Sequence, residues 1–186
     1  MGYKLFLFKF SYFQLFNLNF LRKGDKMSVV AVKEYLKQFD LDGKVEEFTE
    51  SSATVELAAH AAGVIPAMIA KTLSFKVGDY AVLIVTSGDT KVDNRKFKDK
   101  FGMKAKMLTP EEVVEYTGHS IGGVCPYANP EGKVKVYLDE SMKRFDMALP
   151  AAGSSSSCVR LTIEELERSC PGAEWADICK LPDVVE

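Results

Sequence analysis

Closely spaced metal-binding cysteines are missing from this 186-residue chain. Cys125, Cys158, Cys170 and Cys179 form no C-x-x-C pair, and histidine occurs only at His60 and His119. A zinc site draws on closely spaced thiolates or imidazoles. No metal site is therefore expected, and the cysteines read as reduced packing residues. There is no G-x-G-x-x-G and no Walker-type loop, which argues against a nucleotide cofactor. No pair of carboxylates stands in a clear catalytic setting. An uninterrupted apolar run long enough for a membrane span, about 20 residues, is absent too. Residues 3–21 are rich in Phe and Leu but are broken by Lys9, Gln14, Asn17 and Asn19. They are followed by no small-residue cleavage site of the kind a signal peptide carries. No internal repeat or long linker divides the chain.

What is present suits one globular domain. The hydrophobic content is 47% and the net charge is −2, enough for a substantial core. The charge is uneven. Five basic residues against Asp25 alone give residues 1–26 a net +4, which leaves residues 27–186 at −6. A body of that sign is unsuited to coating DNA or an anionic membrane, but it allows a local contact with RNA. Residues 1–26 look foreign to the rest. Phe, Leu, Asn, Tyr and Lys are what AT-rich DNA encodes, and purine-rich codons suffice for residues 22–26. The expectation is a translated upstream leader over 1–26, with a ribosome-binding site beneath residues 22–25, and a single domain over 27–186. A membrane-associating tail is the alternative, and N-terminal sequencing of the native protein separates the two.

Along the body, Ser28 is placed to cap a helix to Phe39, with Val29, Val32, Leu36 and Phe39 on one stripe. Val45–Phe48 reads as a strand. Ser51 or Ser52 is placed to cap a helix over Ala53–Ala62 that Gly63 stops. Gly78-Asp79 marks a hairpin leading into Tyr80–Thr86, apolar on both faces and so a central strand. Lys91–Phe101 reads as a basic helix or turn and Lys104–Leu108 as a strand. Thr109-Pro110-Glu111-Glu112 opens a helix to Thr117, ended by Gly118. Strands follow at Val134–Leu138, Met147–Leu149, Cys158–Leu161 and Trp175–Ile178, with a helix opened by the capping-box spacing of Thr162 and Glu165. Interleaved elements with irregular connections predict a mixed α+β fold. Its sheet is expected to be mixed and partly barrel-like, surrounded by helices, and not doubly wound.

Four segments could carry chemistry. In Ile69–Lys76, strand alternation puts Lys71 on the face of Ile69, Leu73 and Phe75. An unpartnered buried ammonium is costly, so a lysine kept there meets an anion, a carbonyl or a reacting group. It can also lie along apolar surface and reach water, or end a helix. Gly118-His119-Ser120-Ile121-Gly122-Gly123-Val124-Cys125-Pro126 has three glycines within six residues. It can form a main-chain cradle for an anion or oxyanion, or a tight surface turn. Here His119 is the better functional histidine of the two, and Cys125 a conceivable nucleophile, although loop neighbours rarely aim at each other. Gly153-Ser154-Ser155-Ser156-Ser157 can present hydroxyls and amides or serve as a linker. The basic stretch with Lys91, Arg95, Lys96 and Lys98 suits a phosphate backbone or a solvated helix face.

Taken in order, these pieces resemble the YbaK/EbsC family, the prolyl-tRNA-synthetase-associated editing domains, from about Ser51 to about Arg168. The likeness rests on Gly63-Val64-Ile65-Pro66 leading to Ile69-Ala70-Lys71-Thr72-Leu73, on Ser87-Gly88-Asp89 followed by Lys91-Val92-Asp93, and on Gly118 to Pro126. Asp139-Glu140-Ser141 and Ala152-Gly153-Ser154 complete it. The resemblance implies a barrel-like α/β fold and a cytoplasmic deacylase, without cofactor, that clears misacylated tRNA in trans. Its substrate would be tRNA for proline carrying Cys, Ala, Ser or Thr, with prolyl-tRNA synthetase a possible partner. It places Lys71 as the catalytic residue. Thr72, Gly118, His119, Gly122, Gly123, Val124, Gly153 and Ser154 would line the substrate pocket, with backbone donors from Gly122, Gly123 and Gly153. Family members usually lack a side-chain nucleophile. The carboxylate-bearing loop of some branches is replaced here by Leu149-Pro150. A non-catalytic module of the same fold, binding an aminoacyl end or a synthetase, and an esterase using Cys125 are the competing readings.

Overall fold

The computed structural model describes residues 29–182. The leader assigned to residues 1–26 and the Ser28 cap lie outside the described residues. Two long antiparallel strands organise the domain: β2 (Ile69–Val77) and β3 (Tyr80–Ser87), joined by the two-residue turn Gly78-Asp79. Gly78 takes φ +63°, a left-handed conformation that carries no Cβ penalty in glycine. β3 is buried from Ala81 to Ser87, as its two-sided apolar run predicts.

The remaining strands build outward from this pair. β5 (Val134–Asp139) runs parallel to β3, and β9 (Glu174–Ala176) parallel to β5. On the other side, β6 (Met147–Pro150) runs parallel to β2, and β8 (Leu161–Thr162) antiparallel to β6. The sheet order is β8-β6-β2-β3-β5-β9. Two small ladders flank it: β1 (Val45–Glu47) with β7 (Ser157–Val159), and β4 (Lys91–Val92) with β10 (Cys179–Lys180). The result is the expected mixed, curled half-barrel sheet with helices around it.

Both faces of the sheet are covered. Ala70 and Val85 face a core that includes Val32, Leu36, Cys125, Tyr127, Leu138, Leu161 and Leu166. Leu73, Phe75, Val82 and Ile84 face a second core with Phe97, Tyr137 and Ile178. Helix α1 (Val29–Leu36) supplies Val32 and Leu36 to the first core and tightens into a 3₁₀ turn at Lys37–Phe39. Helix α3 (Asn94–Phe101) supplies Phe97 to the second. Helices α4 (Pro110–Thr117) and α5 (Ile163–Arg168) begin with complete capping boxes, Thr109 with Glu112 and Thr162 with Glu165.

Several expected boundaries move, each for a local reason. Helix α2 (Val55–Ala62) is capped by Thr54, whose hydroxyl accepts from the Leu57 amide, and not by Ser51 or Ser52. The Ser52 amide is drawn instead to the Ser155 carbonyl, 2.6 Å away. Lys104–Leu108 forms no regular strand. It touches β2 at a single Phe75–Met107 bridge, flanked by bonds from Lys76 N to Lys106 O and from Leu108 N to Ser74 O. The expected strand Cys158–Leu161 divides at Arg160, whose guanidinium turns to Glu46 and the Ala62 carbonyl.

Candidate functional site

Lys71 lies opposite Thr86 on β3. Its ammonium donates to the Gly88 carbonyl at 2.9 Å and to the Thr90 carbonyl. No carboxylate is in ion-pair contact with it among the described residues. Burial lowers its pKa, while Cys179, Asp89 and Glu56 oppose that shift and Lys91 adds to it. An ammonium has three donors, so one remains after the two carbonyls.

The turn that holds Lys71 is fastened from beneath. The Thr86 hydroxyl meets those of Thr90 at 2.7 Å and Ser141 at 3.1 Å. The Thr90 hydroxyl also donates to the Ser87 carbonyl at 2.8 Å. Under them, Asp139 is buried and accepts from four donors: Thr86 Oγ1, Ser141 N, Ile178 N and Cys179 N. Burial pushes its pKa up, but the hydrogen bonds prevail and the net shift is downward. Gly88 completes the arrangement by close packing. A Cβ there would lie 2.1 Å from the Pro66 carbonyl oxygen and 2.6 Å from Val55 Cγ1, so only glycine brings the chain this near. Gly88, Thr90 and the Thr86–Ser141–Asp139 group were not singled out as site residues. The Ser-Gly-Asp turn after a buried strand, and Asp139-Glu140-Ser141, are the sequence signals that mark them.

The glycine block folds over the opposite side of β2. Cys125 and Tyr127 pack with Ala70 and Val85, whereas Lys71 shares the Leu73 and Phe75 face. Thr72 points away from Lys71 by strand alternation, and its Oγ1 is buried without a partner. Val124 packs against the Ala81, Leu108 and Val113 cluster. Gly118 ends α4 at φ +71°. His119 is fully buried; its Nε2 stands 2.9 Å from the Tyr127 carbonyl. Because a carbonyl only accepts, Nε2 carries the proton and Nδ1 is left as a buried, unpartnered acceptor. Burial lowers the His119 pKa, against the opposing pull of the Tyr127 carbonyl.

Gly122, Gly123, Gly153 and Ser154, expected together, are brought together. A Cβ on Gly123 would stand 2.7 Å from Gly153 C and O and 2.9 Å from Ser154 N. One on Gly122 would stand 3.1 Å from Ser155 Cβ and 3.8 Å from Ala53 Cβ. The expected set of donors is narrower, however. The Gly123 amide donates to the Ser120 carbonyl at 3.0 Å, closing the loop's own turn. The Gly153 amide lowers the Cys125 thiol pKa against the larger, opposing effect of burial. The Gly122 amide has no partner among the described residues. The Ser154 hydroxyl is engaged with Ser157 Oγ at 2.8 Å. By strand alternation, Lys71 and the residues packed under the glycine block thus belong to opposite faces of β2. The turn that holds Lys71 and the glycine block both reach the entry of α2, where Gly88 packs on Val55 and Gly122 on Ala53.

Comparison with known proteins decides the family. The model of the aminoacyl-tRNA editing domain matches residues 49–169. The chain belongs to the aminoacyl-tRNA editing domain family. It is 48% identical over 158 residues to an uncharacterized protein, YwhH, of Bacillus subtilis, covering 83% of this chain and 98% of that one. It is 31% identical over 160 residues to a proline--tRNA ligase of Thermosipho melanesiensis, covering 83% of this chain but only 27% of the ligase. A solved structure, of a protein proposed as a trans-editing enzyme for prolyl tRNA synthetase, superposes with a TM-score of 0.72 at 32% identity, over 82% of this chain and 96% of that one.

Two other features of this editing domain bear on its chemistry. All four cysteines are buried, and burial raises the thiol pKa to about 12 at Cys125, Cys158 and Cys170 and about 11 at Cys179. Cys125 Sγ stands 3.5 Å from His119 Nε2, closer than expected of loop neighbours, but that nitrogen holds its proton on the Tyr127 carbonyl, and a fully buried thiol beside it is poorly placed as a nucleophile. The basic stretch divides in two. Lys96 is tied to Asp177 at 2.6 Å and to the Cys179 carbonyl, and Lys100 to Glu174 at 3.1 Å. Lys91, Arg95 and Lys98 are exposed and carry no ion pair among the described residues. No helix among the described residues is long and apolar enough to cross a membrane.

Proposed function

We propose that this editing domain is a trans-acting aminoacyl-tRNA deacylase. Its substrate is tRNA for proline carrying a wrong small amino acid such as Cys, Ala, Ser or Thr. The carrying observation is Lys71, a half-buried ammonium anchored by two carbonyls and, among the described residues, neutralised by no contacting carboxylate. Such a group attracts an anionic or electron-rich partner. In this reading it holds the aminoacyl end of the tRNA. The Gly122 amide, at the other side of the α2 entry, faces the ester carbonyl where negative charge develops. Gly118, His119, Gly123, Val124, Gly153 and Ser154 act by shaping that loop pair, and Thr72 by backing it.

An aminoacyl ester is already activated, so positioning and charge stabilisation supply the rate without a protein nucleophile. Buried thiols and the absence of a carboxylate on Lys71 agree with that route. The test is a panel of tRNAs mischarged with Cys, Ala, Ser and Thr. Hydrolysis above the spontaneous rate by the parent protein, lost in Lys71→Ala, is expected. Turnover by Lys71→Ala equal to the parent's would remove Lys71 from the reaction. A panel left intact by the parent would favour the second reading, a module that binds an aminoacyl end or a synthetase. That reading has its own support in the engagement of the Gly123 amide within the protein.

A further inference from the structure

Beside Lys71 lies an open cleft of about 370 Å³. Its walls are apolar: Leu73, Phe75, Val92, Ala105 and Met107. Polar groups gather on the same rim: Lys71, Thr90, Lys91 and Asn94. None of the lining residues comes from the glycine block. Met107 is 57% exposed and Met103 39% exposed, so large apolar side chains stand in water at and near this lip. An apolar-lined cleft with a few polar groups converging on it is the ordinary form of a ligand site.

The charge around the cleft is arranged in one direction. Asn94 lines the cleft, and Lys98 follows it at i+4, on the same side of α3. Arg95 stands three residues before Lys98, again a neighbour on the helix surface. These cations and Lys91 are exposed and carry no ion pair among the described residues, whereas Lys96 and Lys100 are neutralised by Asp177 and Glu174. The chain as a whole carries −2, so an unpaired basic rim at this one place is a local feature. An apolar slot continuous with a row of cations matches a single nucleic-acid strand, which offers a flat base and a phosphate at each step. A duplex presents its phosphates but keeps its bases stacked away from such a slot.

We infer that the cleft is a nucleobase subsite for the unpaired strand of the tRNA acceptor end. It takes the nucleotide that precedes the terminal adenosine, between Met107 and Val92, and the phosphates leave over Lys91, Arg95 and Lys98. This rests on the deacylase reading for the identity of the strand, and it adds the direction from which the strand arrives. Lys71 stands at the junction, between the slot and the α2 entry where the ester is placed.

The test measures binding by fluorescence anisotropy, with the full chain and a labelled single-stranded RNA of the tRNA 3′-terminal sequence. A matched oligonucleotide has an abasic sugar at the penultimate position. Met107→Ser, at a half-exposed position, should weaken the intact strand by about 5-fold, the loss expected when roughly half of a methionine side chain is no longer covered by a base, and leave the abasic strand unchanged. Arg95→Ala with Lys98→Ala should weaken both strands and lower the slope of log affinity against log salt by about 1.4, two single-strand phosphate contacts. Equal loss on intact and abasic strands for Met107→Ser, or an unaltered salt slope for the double variant, would overturn the inference. Far-ultraviolet circular dichroism of each variant confirms that the fold persists. The two proposals fail separately. Parental hydrolysis of mischarged tRNA with wild-type oligonucleotide binding by both variants sinks the subsite alone. The expected binding pattern with no hydrolysis by the parent sinks the deacylase alone.

Discussion

Replacing Gly123 with alanine should break the contact between the glycine block and the serine run. The added Cβ would meet Gly153 C and O at 2.7 Å and Ser154 N at 2.9 Å. Carbon contacts are comfortable only at about 3.5–4.0 Å. The obstructing atoms are main chain, so no side-chain rotation relieves them, and one loop has to withdraw by several tenths of an ångström or more. Overpacking of this kind costs about 1–3 kcal/mol. For a domain of this size, about 2 kcal/mol corresponds to a melting temperature lower by roughly 4–8 °C. Gly132→Ala is the control. Its Cβ would meet nothing within 4 Å, but Gly132 takes φ +75°, so its cost is backbone strain alone, about 1–2 kcal/mol. The two variants should thus lose similar stability for different reasons. Their deacylation should differ. Gly132→Ala keeps the parental rate below its melting temperature, whereas Gly123→Ala loses it, because withdrawal of the loop carries Gly122 away from Ala53 and the α2 entry. Thermal denaturation and mischarged-tRNA hydrolysis, run on both, decide the matter. A Gly123→Ala protein as stable and as active as the parent would refute the close apposition of the two loops.

Other outcomes follow from the same geometry. Lys71→Ala should lower deacylation by about 10²-fold or more, as loss of a charge-stabilising contact does, and Lys71→Arg should not restore it, because the bulkier planar guanidinium spreads its charge and does not leave a compact donor at the same point; single-turnover hydrolysis of mischarged tRNA checks both. His119 is held below its ordinary pKa by burial, so the unfolded chain takes up an additional proton once the pH falls below about 6.5. The stability present above that pH is then lost as the pH falls toward the folded value, at up to about 1.4 kcal/mol per pH unit. Urea unfolding of the parent and of His119→Gln across pH 7.5 to 5.5 should show the slope in the parent alone, and an equal slope in both would remove His119 as its source. Asp139→Asn keeps an acceptor for only one side, so its NH₂ must face either the Ile178 and Cys179 amides or the Ser141 amide, and it should cost about 3 kcal/mol or more, read as a lower urea midpoint. Iodoacetamide should leave all four buried thiols unlabelled in the native protein and label them after denaturation; rapid native labelling of Cys125 would contradict its place in the core.

The parts of the site legible in the sequence are those set by local rules. A period of two residues puts a charge on the Ile69, Leu73 and Phe75 face, so Lys71 announces itself without any partner in view. Capping boxes, the Gly78-Asp79 hairpin and the two-sided apolar run of β3 are likewise local, and they appear where expected. The partners are not local. Gly88 and Thr90 reach Lys71 because the hairpin register sets Lys71 against Thr86, and nothing within Ile69–Lys76 states that register. The division of the basic stretch has the same origin. Lys96 and Lys100 are discharged by Asp177 and Glu174, residues far away in sequence that β9 and β10 bring alongside α3. The glycine block shows the opposite case, in which a local rule was present but competed with the one applied. Ser120 to Gly123 is a turn in its own right, and it uses the Gly123 amide that a cradle would have aimed at a ligand. Three glycines in six residues thus serve close approach more than donation. Gly123 lets the loops touch, Gly122 takes φ +88° beside Ala53, and the Gly122 amide is the donor that the packing spares. The chemistry available to the domain follows from that economy of donors. On the deacylase reading proposed above, one main-chain amide and one lysine would orient and polarise an ester that is already reactive, a task far lighter than cleaving an unactivated amide.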